Sequence, residues 1–488
     1  MSLISRRLYT MALRPPDKPL LVVLGATGTG KSKLAVELAT KFNGEIINGD
    51  AMQMYKGLPI ITNKIPEAER NGIPHHLLDF IALHEKPWKV HQFVKESLRV
   101  IDEIRERGKL PILVGGTHYY SHALLFKDAI LGTEDEVEDE GHSDDDQSDH
   151  QWPILSQPTN EIFSKLEEVD PESASRWHPK DRRKIQTALR IWLRSGRKAS
   201  DIYAEQQARR ADSARLSTSS DANDQISKSE TGLRFPTLLL WLEAEDAVLK
   251  ERLNKRVDSM IEDGLISEAR LMAQVEASLN KTDNPVDRTK GIWISIGYKE
   301  LEPYLQVEET GAQGDSEPNS TQKKILHEAI EAVKAGTRQY AKRQNRYIRV
   351  RLADALADAG QLRRLFLLDS TKLDQWESMV LQPAERLANS FLEGNELPYA
   401  ATLSSLAEKW LGKVGTGNNN AKRLARTCEV CNKVLMTDHE WDGHLLSRGH
   451  KNTVAAQKRR MRQLHQPLES ASASASTTGT SNIDTSMP

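Results

Sequence analysis

The stretch Gly25-Ala26-Thr27-Gly28-Thr29-Gly30-Lys31-Ser32 fits the pattern G-x-x-x-x-G-K-[ST]. In that pattern the backbone N–H groups of a glycine-rich turn point inward at anionic oxygens. The positive end of the following helix points at the same place, the lysine adds a point charge, and the Ser32 hydroxyl is placed to ligate Mg²⁺. A nucleotide-hydrolysing loop of this architecture also needs a second carboxylate after a buried strand. Where that acid would stand, in "LPILVGGTHYY", the chain has Gly115 and Gly116. The nearest suitable acid is Asp50, in "INGDAMQMY", with Gln53 three residues on. At a strand end on the loop's side of a parallel sheet, Asp50 faces the ligand crevice and can take a proton or help with a metal. The plainer alternative is a helix cap. The anion is either the tail of a nucleotide or another diphosphate.

A second constellation lies near the C-terminus. Cys428, Cys431, His444 and His450 are spaced C-x₂-C-x₁₂-H-x₅-H, and they include both cysteines of the 488-residue chain. Two thiols make no disulfide framework, and this spacing is that of a tetrahedral, structural Zn²⁺ site with no open position for chemistry. Lys451, Lys458, Arg459, Arg460 and Arg462 follow it and suit a nucleic acid backbone, with a protein partner left open. A third cluster, "DRRKIQTALRIWLRSGRK" (181–198), sets seven basic residues against one acid. Like charges on one short helix repel unless an anion neutralises them. Trp177, Trp192 and Tyr203 could stack on bases, although aromatics at helical spacing more often pack in a core.

The elements that must position these groups read as strand, helix, strand, helix, strand. Residues 20–24, 44–50 and 110–116 are the strands, and "KSKLAVELATKF" and "HQFVKESLRVIDEIRERG" are the amphipathic helices. That order specifies a parallel α/β sheet. The sheet is expected to resume at 234–244, to be followed by one long helix from about 246 to 276, and to end with a strand at 365–370. The fold class is thus α/β, with a P-loop NTPase-like parallel core, a helical insertion and a C-terminal two-Cys, two-His finger. The expected division is 1–18 targeting segment, 19–131 first part of the core, 132–150 acidic disordered loop and 151–233 insertion. Then come 234–371 second part of the core, 372–425 irregular linker, 426–465 finger and basic helix, and 466–488 disordered tail.

Net charge is −2, but the block "TEDEVEDEGHSDDDQSD" (133–149) holds many of the acids, so the remainder is net basic. That block cannot bury enough apolar surface to order itself. No apolar run reaches the length of a membrane span. The first 19 residues carry Arg6, Arg7 and Arg14 and no acid before Asp17, which suits either a mitochondrial transit peptide or a frayed terminus. Met11 offers a second start. The expected compartments are the mitochondrion and the cytoplasm, with the nucleus left open, and the expected state is a monomer.

"GATGTGKS", "INGDAMQMYKGL", "LVGGTHYY", "HPKDRRKIQTALRIWLRSGR", "SIGYKEL" and "TRQYAKRQNRYIR" resemble, in order, the motifs of the tRNA dimethylallyltransferase (tRNA isopentenyltransferase) family. The finger resembles that of eukaryotic members. The resemblance covers about residues 19–370 and 426–452. It implies that residues 25–32 hold the diphosphate of dimethylallyl diphosphate, with Thr27 and Lys31 at the reacting end. It implies Asp50 as general base for an adenine amine, Arg256 meeting the diphosphate from the far side and sharing a helical face with Arg252, and Mg²⁺ at Ser32. It also implies contacts of Asp50, Gln53, Thr117, Gln186, Arg190, Arg338, Lys342 and Arg343 with the anticodon stem-loop of tRNA. The family's "GYRQ" stands here as Gly297, Tyr298, Lys299 and Glu300, which puts a bidentate contact there in doubt. Two other readings stay open: a P-loop kinase binding ATP, and a non-catalytic RNA-binding adaptor.

Overall fold

A computed structural model describes residues 14–127, 152–205, 208, 232–282, 285–311, 320–412 and 425–464. The acidic block, the 211–230 stretch, residues 1–13 with Met11, and the tail beyond 464 lie outside the described residues. The chain divides into two compact units, Met1–Glu140 with Glu205–Gly417, and Gly141–Ala204 with Asn418–Pro488.

The first unit is built on six parallel strands, β1 (Leu20–Gly25), β2 (Gly44–Asn48), β3 (His75–His76), β4 (Leu110–Val114), β5 (Thr237–Glu243) and β6 (Leu365–Asp369), in the order β3-β2-β4-β1-β5-β6. Their near-continuous apolar runs are explained by burial on both faces: every residue of β1, β2, β4 and β5 is buried. Between β1 and β2 runs α1 (Lys31–Lys41), and before β4 runs α2 (Val90–Glu106). α2 lays Phe93, Val94, Ser97, Val100, Ile101 and Ile104 on the sheet at three- and four-residue spacing. β4 is followed by α3 (His118–Leu125), and β5 by α4 (Asp246–Asp263) and α5 (Leu265–Leu279). The last long helix, α6 (Ser320–Tyr347), precedes β6. Since β1 is flanked by β4 on one side and β5 on the other, strand order reverses there. In open α/β sheets a ligand crevice forms beyond the strand ends at such a point.

Three expectations need correction. The long helix over 246–276 is two helices, because Gly264 takes a left-handed conformation (φ 111°) that ends α4. Residues 372–425 are not an irregular linker throughout. They contain α7 (Gln382–Glu393), which buries Ala384, Leu387, Ala388 and Phe391, and α8 (Ser405–Leu411), which buries Leu406, Ala407 and Leu411. The insertion also ends earlier than 233: the Arg234 N–H donates to Leu125 O at 2.8 Å, and Leu233 bridges Phe126 in the first unit.

The second unit has a small core of its own, in which Leu155, Ile162, Leu166, Ile185 and Leu189 are fully or almost fully buried. Asp170 organises it, accepting from the Ser173 and Ser200 N–H groups at 3.0 Å each. Trp177 and Trp192 pack against this core. The same unit holds the antiparallel pair Arg426–Thr427 and Val434–Leu435 and the helices Asp438–Leu446 and Arg448–Leu464. No helix among the described residues is long and apolar enough to cross a membrane.

Candidate active site and metal centre

The glycine-rich turn follows β1 and opens α1, as the phosphate-binding pattern requires. Thr29 Oγ1 and Lys31 Nζ both donate to Ala26 O at 2.8 Å, which folds the turn on itself. Burial pulls the Lys31 ammonium down to about 8; Asp50 opposes the fall and Arg256 adds to it. A cation so poorly solvated gains strongly from an incoming anion.

Asp50 stands just past the end of β2. Asn48 holds that turn: its amide donates to Asp50 O at 3.0 Å and to Leu77 O at 2.9 Å, and its carbonyl accepts from the Asp50 N–H at 3.0 Å. The end of β4 lies against it. A Cβ on Gly115 would come within 2.3 Å of the Gly49 backbone, and one on Gly116 within 2.9 Å of Asp50 Oδ2. Gly115 and Gly116 therefore leave the space in which Asp50 approaches β4. Burial raises the Asp50 pKa above the usual carboxylate value, while the Met52 N–H (3.0 Å to Oδ1) and the Lys31 charge oppose the rise. Cap-like bonding and a ligand-facing position thus coexist.

Thr27 is held from two sides. Its N–H donates to Gln344 Oε1 at 2.8 Å, and its Oγ1 accepts from the Arg256 guanidinium at 2.9 Å. Gln344 Nε2 donates in turn to Gly116 O at 2.9 Å, so one α6 side chain ties the phosphate turn to the end of β4. Burial lowers the Arg256 pKa. Arg252, one turn earlier on α4, goes elsewhere, donating to Ser370 O at 2.7 Å and Thr371 O at 2.5 Å. The two arginines are neither an idle solvated face nor a single clamp.

The remaining expected site residues separate. Thr117 Oγ1 accepts from the Ala51 N–H at 3.1 Å, beside Asp50, and Gln53 Nε2 donates to Asn63 O at 2.9 Å. Arg338 is tied to Asn254 Oδ1 at 2.5 Å, whereas Lys342 and Arg343 are exposed on α6. Gln186 lies in the second unit and donates to Leu155 O at 2.8 Å; Arg190, on the same helix, is half-buried. The departure at Glu300 is structural: its carboxylate accepts from the Gly297 N–H at 2.9 Å.

Sequence reading passed over three groups. Gln344 and Tyr340 lie within the resembling stretch TRQYAKRQNRYIR, but their partners are more than 200 residues away in sequence, so the stretch gave them no role. Burial and the Asp50 charge push the Tyr340 phenol pKa up. Glu243 ends β5 next to the phosphate turn, where a metal-holding acid could stand. It is fully buried and already bound, to Asn345 Nδ2 at 2.7 Å and Arg349 at 2.9 Å.

The family profile described as IPP transferase matches residues 53–351. The chain belongs to that family. The tRNA dimethylallyltransferase of Schizosaccharomyces pombe is 34% identical, over 91% of this chain and 96% of that relative. The Saccharomyces cerevisiae tRNA dimethylallyltransferase is 35% identical, over 92% and 94%. Among solved structures, a eukaryotic dimethylallyltransferase caught acting on tRNA superimposes with a TM-score of 0.71 at 32% identity. It covers 92% of this chain and 99% of its own.

In this IPP transferase the ligand atoms of Cys428, Cys431, His444 and His450 lie within 4.8 Å of one another. His450 Nδ1 is 3.4 Å from Cys431 Sγ, 3.7 Å from Cys428 Sγ and 3.2 Å from His444 Nε2. A tetrahedron with Zn–S about 2.3 Å and Zn–N about 2.0 Å has edges of about 3.3–3.8 Å, so the three distances from His450 match a Zn²⁺ site and the two-Cys, two-His donor set suits it chemically.

Proposed function

We propose that this protein transfers the dimethylallyl group of dimethylallyl diphosphate to the exocyclic N6 amine of the adenosine 3′ of the anticodon in tRNA, releasing pyrophosphate. One observation carries the reading. Among the described residues, Asp50 is the carboxylate that acts on Lys31 at the phosphate turn, while the acid at a neighbouring strand end, Glu243, is spent on Asn345 and Arg349. That is a site for one proton and one diphosphate, not for the metal–nucleotide of an ATPase or kinase.

In this reading the backbone of residues 25–32 cradles the diphosphate. The adenine amine forms a bond to C1 of the prenyl group as the C1–O bond breaks, and that electron pair leaves with pyrophosphate. The amine proton passes to Asp50, which burial makes a stronger base than an ordinary aspartate. Lys31 and Arg256 face the charge that develops on the leaving group, the largest electrostatic need of the step. Thr27, fixed by Gln344 and Arg256, meets the bridging end. Ser32, at the start of α1, suits Mg²⁺, which takes one or two protein oxygens beside phosphate oxygens and would add positive charge to the diphosphate. To reach the site, the adenosine leaves its stack.

Thr117 and Gln53 flank Asp50 on the base side. Lys342 and Arg343 on α6, Arg190 in the second unit and the basic helix Arg448–Leu464 are assigned to the tRNA backbone. Gln186 and Arg338 act there through their present hydrogen bonds, as supports. We further infer a monomer, found in mitochondria and cytoplasm. The test is full-length protein with dimethylallyl diphosphate, ATP and tRNA, followed by nuclease digestion. N6-dimethylallyladenosine without ADP supports the reading, and ADP without prenylated adenosine overturns it.

A further inference from the structure

Two adjacent tyrosines stand in the first turn of α3, and the fold uses them differently. Tyr120 packs its ring 4.9 Å from that of Phe93, and its hydroxyl donates to Trp88 O at 2.9 Å. Tyr119 is 46% exposed. A single exposed aromatic is ordinary on a protein surface. The surroundings of Tyr119 are what give it meaning.

α3 starts beyond the carboxyl end of β4, at the crevice end of the sheet. Thr117, just before it, accepts from the Ala51 N–H beside Asp50. Tyr119 follows two residues later, roughly 5–6 Å along the helix backbone. The C-terminal end of α6 lies on its other flank. There the Tyr347 hydroxyl is 3.2 Å from His122 Nδ1, and the Tyr347 ring is 6.4 Å from that of His118. Burial first, and then the Tyr119 phenol beside it, push the Tyr347 pKa up. Lys342, Arg343 and Arg346 are exposed just before Tyr347, and Arg343 is one turn from it on the same helical face. An exposed aromatic ring thus stands next to a group of exposed cations, close to the carboxylate proposed to meet an adenine amine. Single-stranded RNA is gripped by this pairing, with cations on the phosphates and a ring on a nucleobase.

We propose that Tyr119 stacks on the nucleobase next to the target adenosine, replacing the neighbour that this nucleobase loses when the adenosine swings out. The proposal rests on the prenyl-transfer reading and adds to it how the loop is held open. An extruded adenosine leaves the faces of its neighbours bare. A phenol ring covers such a face whatever the nucleobase, because every nucleobase has a π-face. The half-exposed ring of Tyr119 gains a partner in the same step, and Lys342, Arg343 and Arg346 hold the strand beside it.

The test uses full-length protein and an anticodon stem-loop RNA. In it 2-aminopurine, whose fluorescence falls on stacking, replaces in turn the nucleobase on the 5′ and on the 3′ side of the target adenosine. Emission is read at saturating protein, and prenyl transfer to the unlabelled RNA is followed alongside. For one of the two probes, Tyr119→Ala and Tyr119→Leu should each raise the emission of the complex about twofold or more, whereas Tyr119→Phe should leave it close to wild type. In the alanine and leucine variants the KM for RNA should rise about 5- to 50-fold, with the KM for dimethylallyl diphosphate within about threefold of wild type. Unchanged emission at both probes overturns the proposal, as does a phenylalanine variant as impaired as the alanine one. Alanine and leucine variants that no longer melt cooperatively would make Tyr119 a structural ring and overturn it too. Normal transfer with unchanged emission sinks the Tyr119 assignment alone. A wild type that makes no N6-dimethylallyladenosine sinks the prenyl-transfer reading, and the probes still decide whether Tyr119 stacks on the RNA.

Discussion

In the proposed reaction two titrating side chains, Asp50 and Lys31, set the chemistry at the residue scale. Asp50 must be ionised to take a proton, so kcat/KM falls as pH drops through a pKa raised by burial above the ordinary aspartate value. Lys31 must be protonated to face the diphosphate, so kcat/KM falls again as pH rises through about 8. Bound diphosphate favours the ammonium, so the alkaline limb of kcat should lie above that of kcat/KM. An alkaline limb that Lys31→Arg leaves in place would assign it to another group. In the same reading Gln344, bonded to the Thr27 N–H and the Gly116 carbonyl, is a positioning residue. Gln344→Leu strips the partners from the Thr27 N–H and the Gly116 carbonyl, a loss of roughly 1–3 kcal/mol. The single-turnover rate should fall about 10- to 100-fold, while the Kd for tRNA moves less than about threefold. Equal losses in rate and affinity would make the role merely structural. Residues 25–32 and Asp50 could be picked out from the sequence because they form a phosphate-loop pattern and stand at a strand end, whereas Thr117 and Arg256 came only from the family resemblance. Gln344 and Glu243 could not be picked out, because their roles arise only when α6 crosses the strand ends.

At the scale of elements, the strands could be read because burial on both faces leaves an uninterrupted apolar run. β3 was missed: two residues, His75 and His76, carry no run to see. Residues 372–412 were misread because the apolar spacing of α7 is short and follows a stretch of turns. The β2 edge has an electrostatic clasp that makes its own prediction. Glu45 is buried, which alone would raise its pKa, but Arg107 (2.6 Å), His76 (2.6 Å) and Lys109 (3.1 Å) override that and hold it at about 2. A depressed carboxylate contributes stability that is complete above the unfolded value near 4.5 and is lost as pH falls toward 2. The contribution is on the order of 3 kcal/mol. Urea midpoints between pH 7 and 3 should therefore fall less steeply for Glu45→Gln than for wild type, from a lower starting value. Parallel slopes would show that the clasp contributes nothing.

On the scale of the whole molecule, the chain forms two compact units, and the four candidate zinc ligands belong to the second. Binding free energy at a structural zinc site is folding free energy. Cys428→Ser with Cys431→Ser should lose the one zinc expected per chain by elemental analysis, expose residues 425–464 to proteolysis, and leave the main thermal transition of the sheet unit within about 2 °C. A shift of the main transition by 10 °C would mean that the metal supports both units. The account stands or falls on Asp50 as the proton acceptor beside a prenyl diphosphate. The most direct measurement is a single-turnover transfer from dimethylallyl diphosphate to tRNA by Asp50→Ala, with tRNA binding measured in the same preparation. The account predicts a rate about 10²- to 10⁴-fold below wild type with tRNA affinity retained. A variant that transfers the prenyl group within about twofold of the wild-type rate would contradict it.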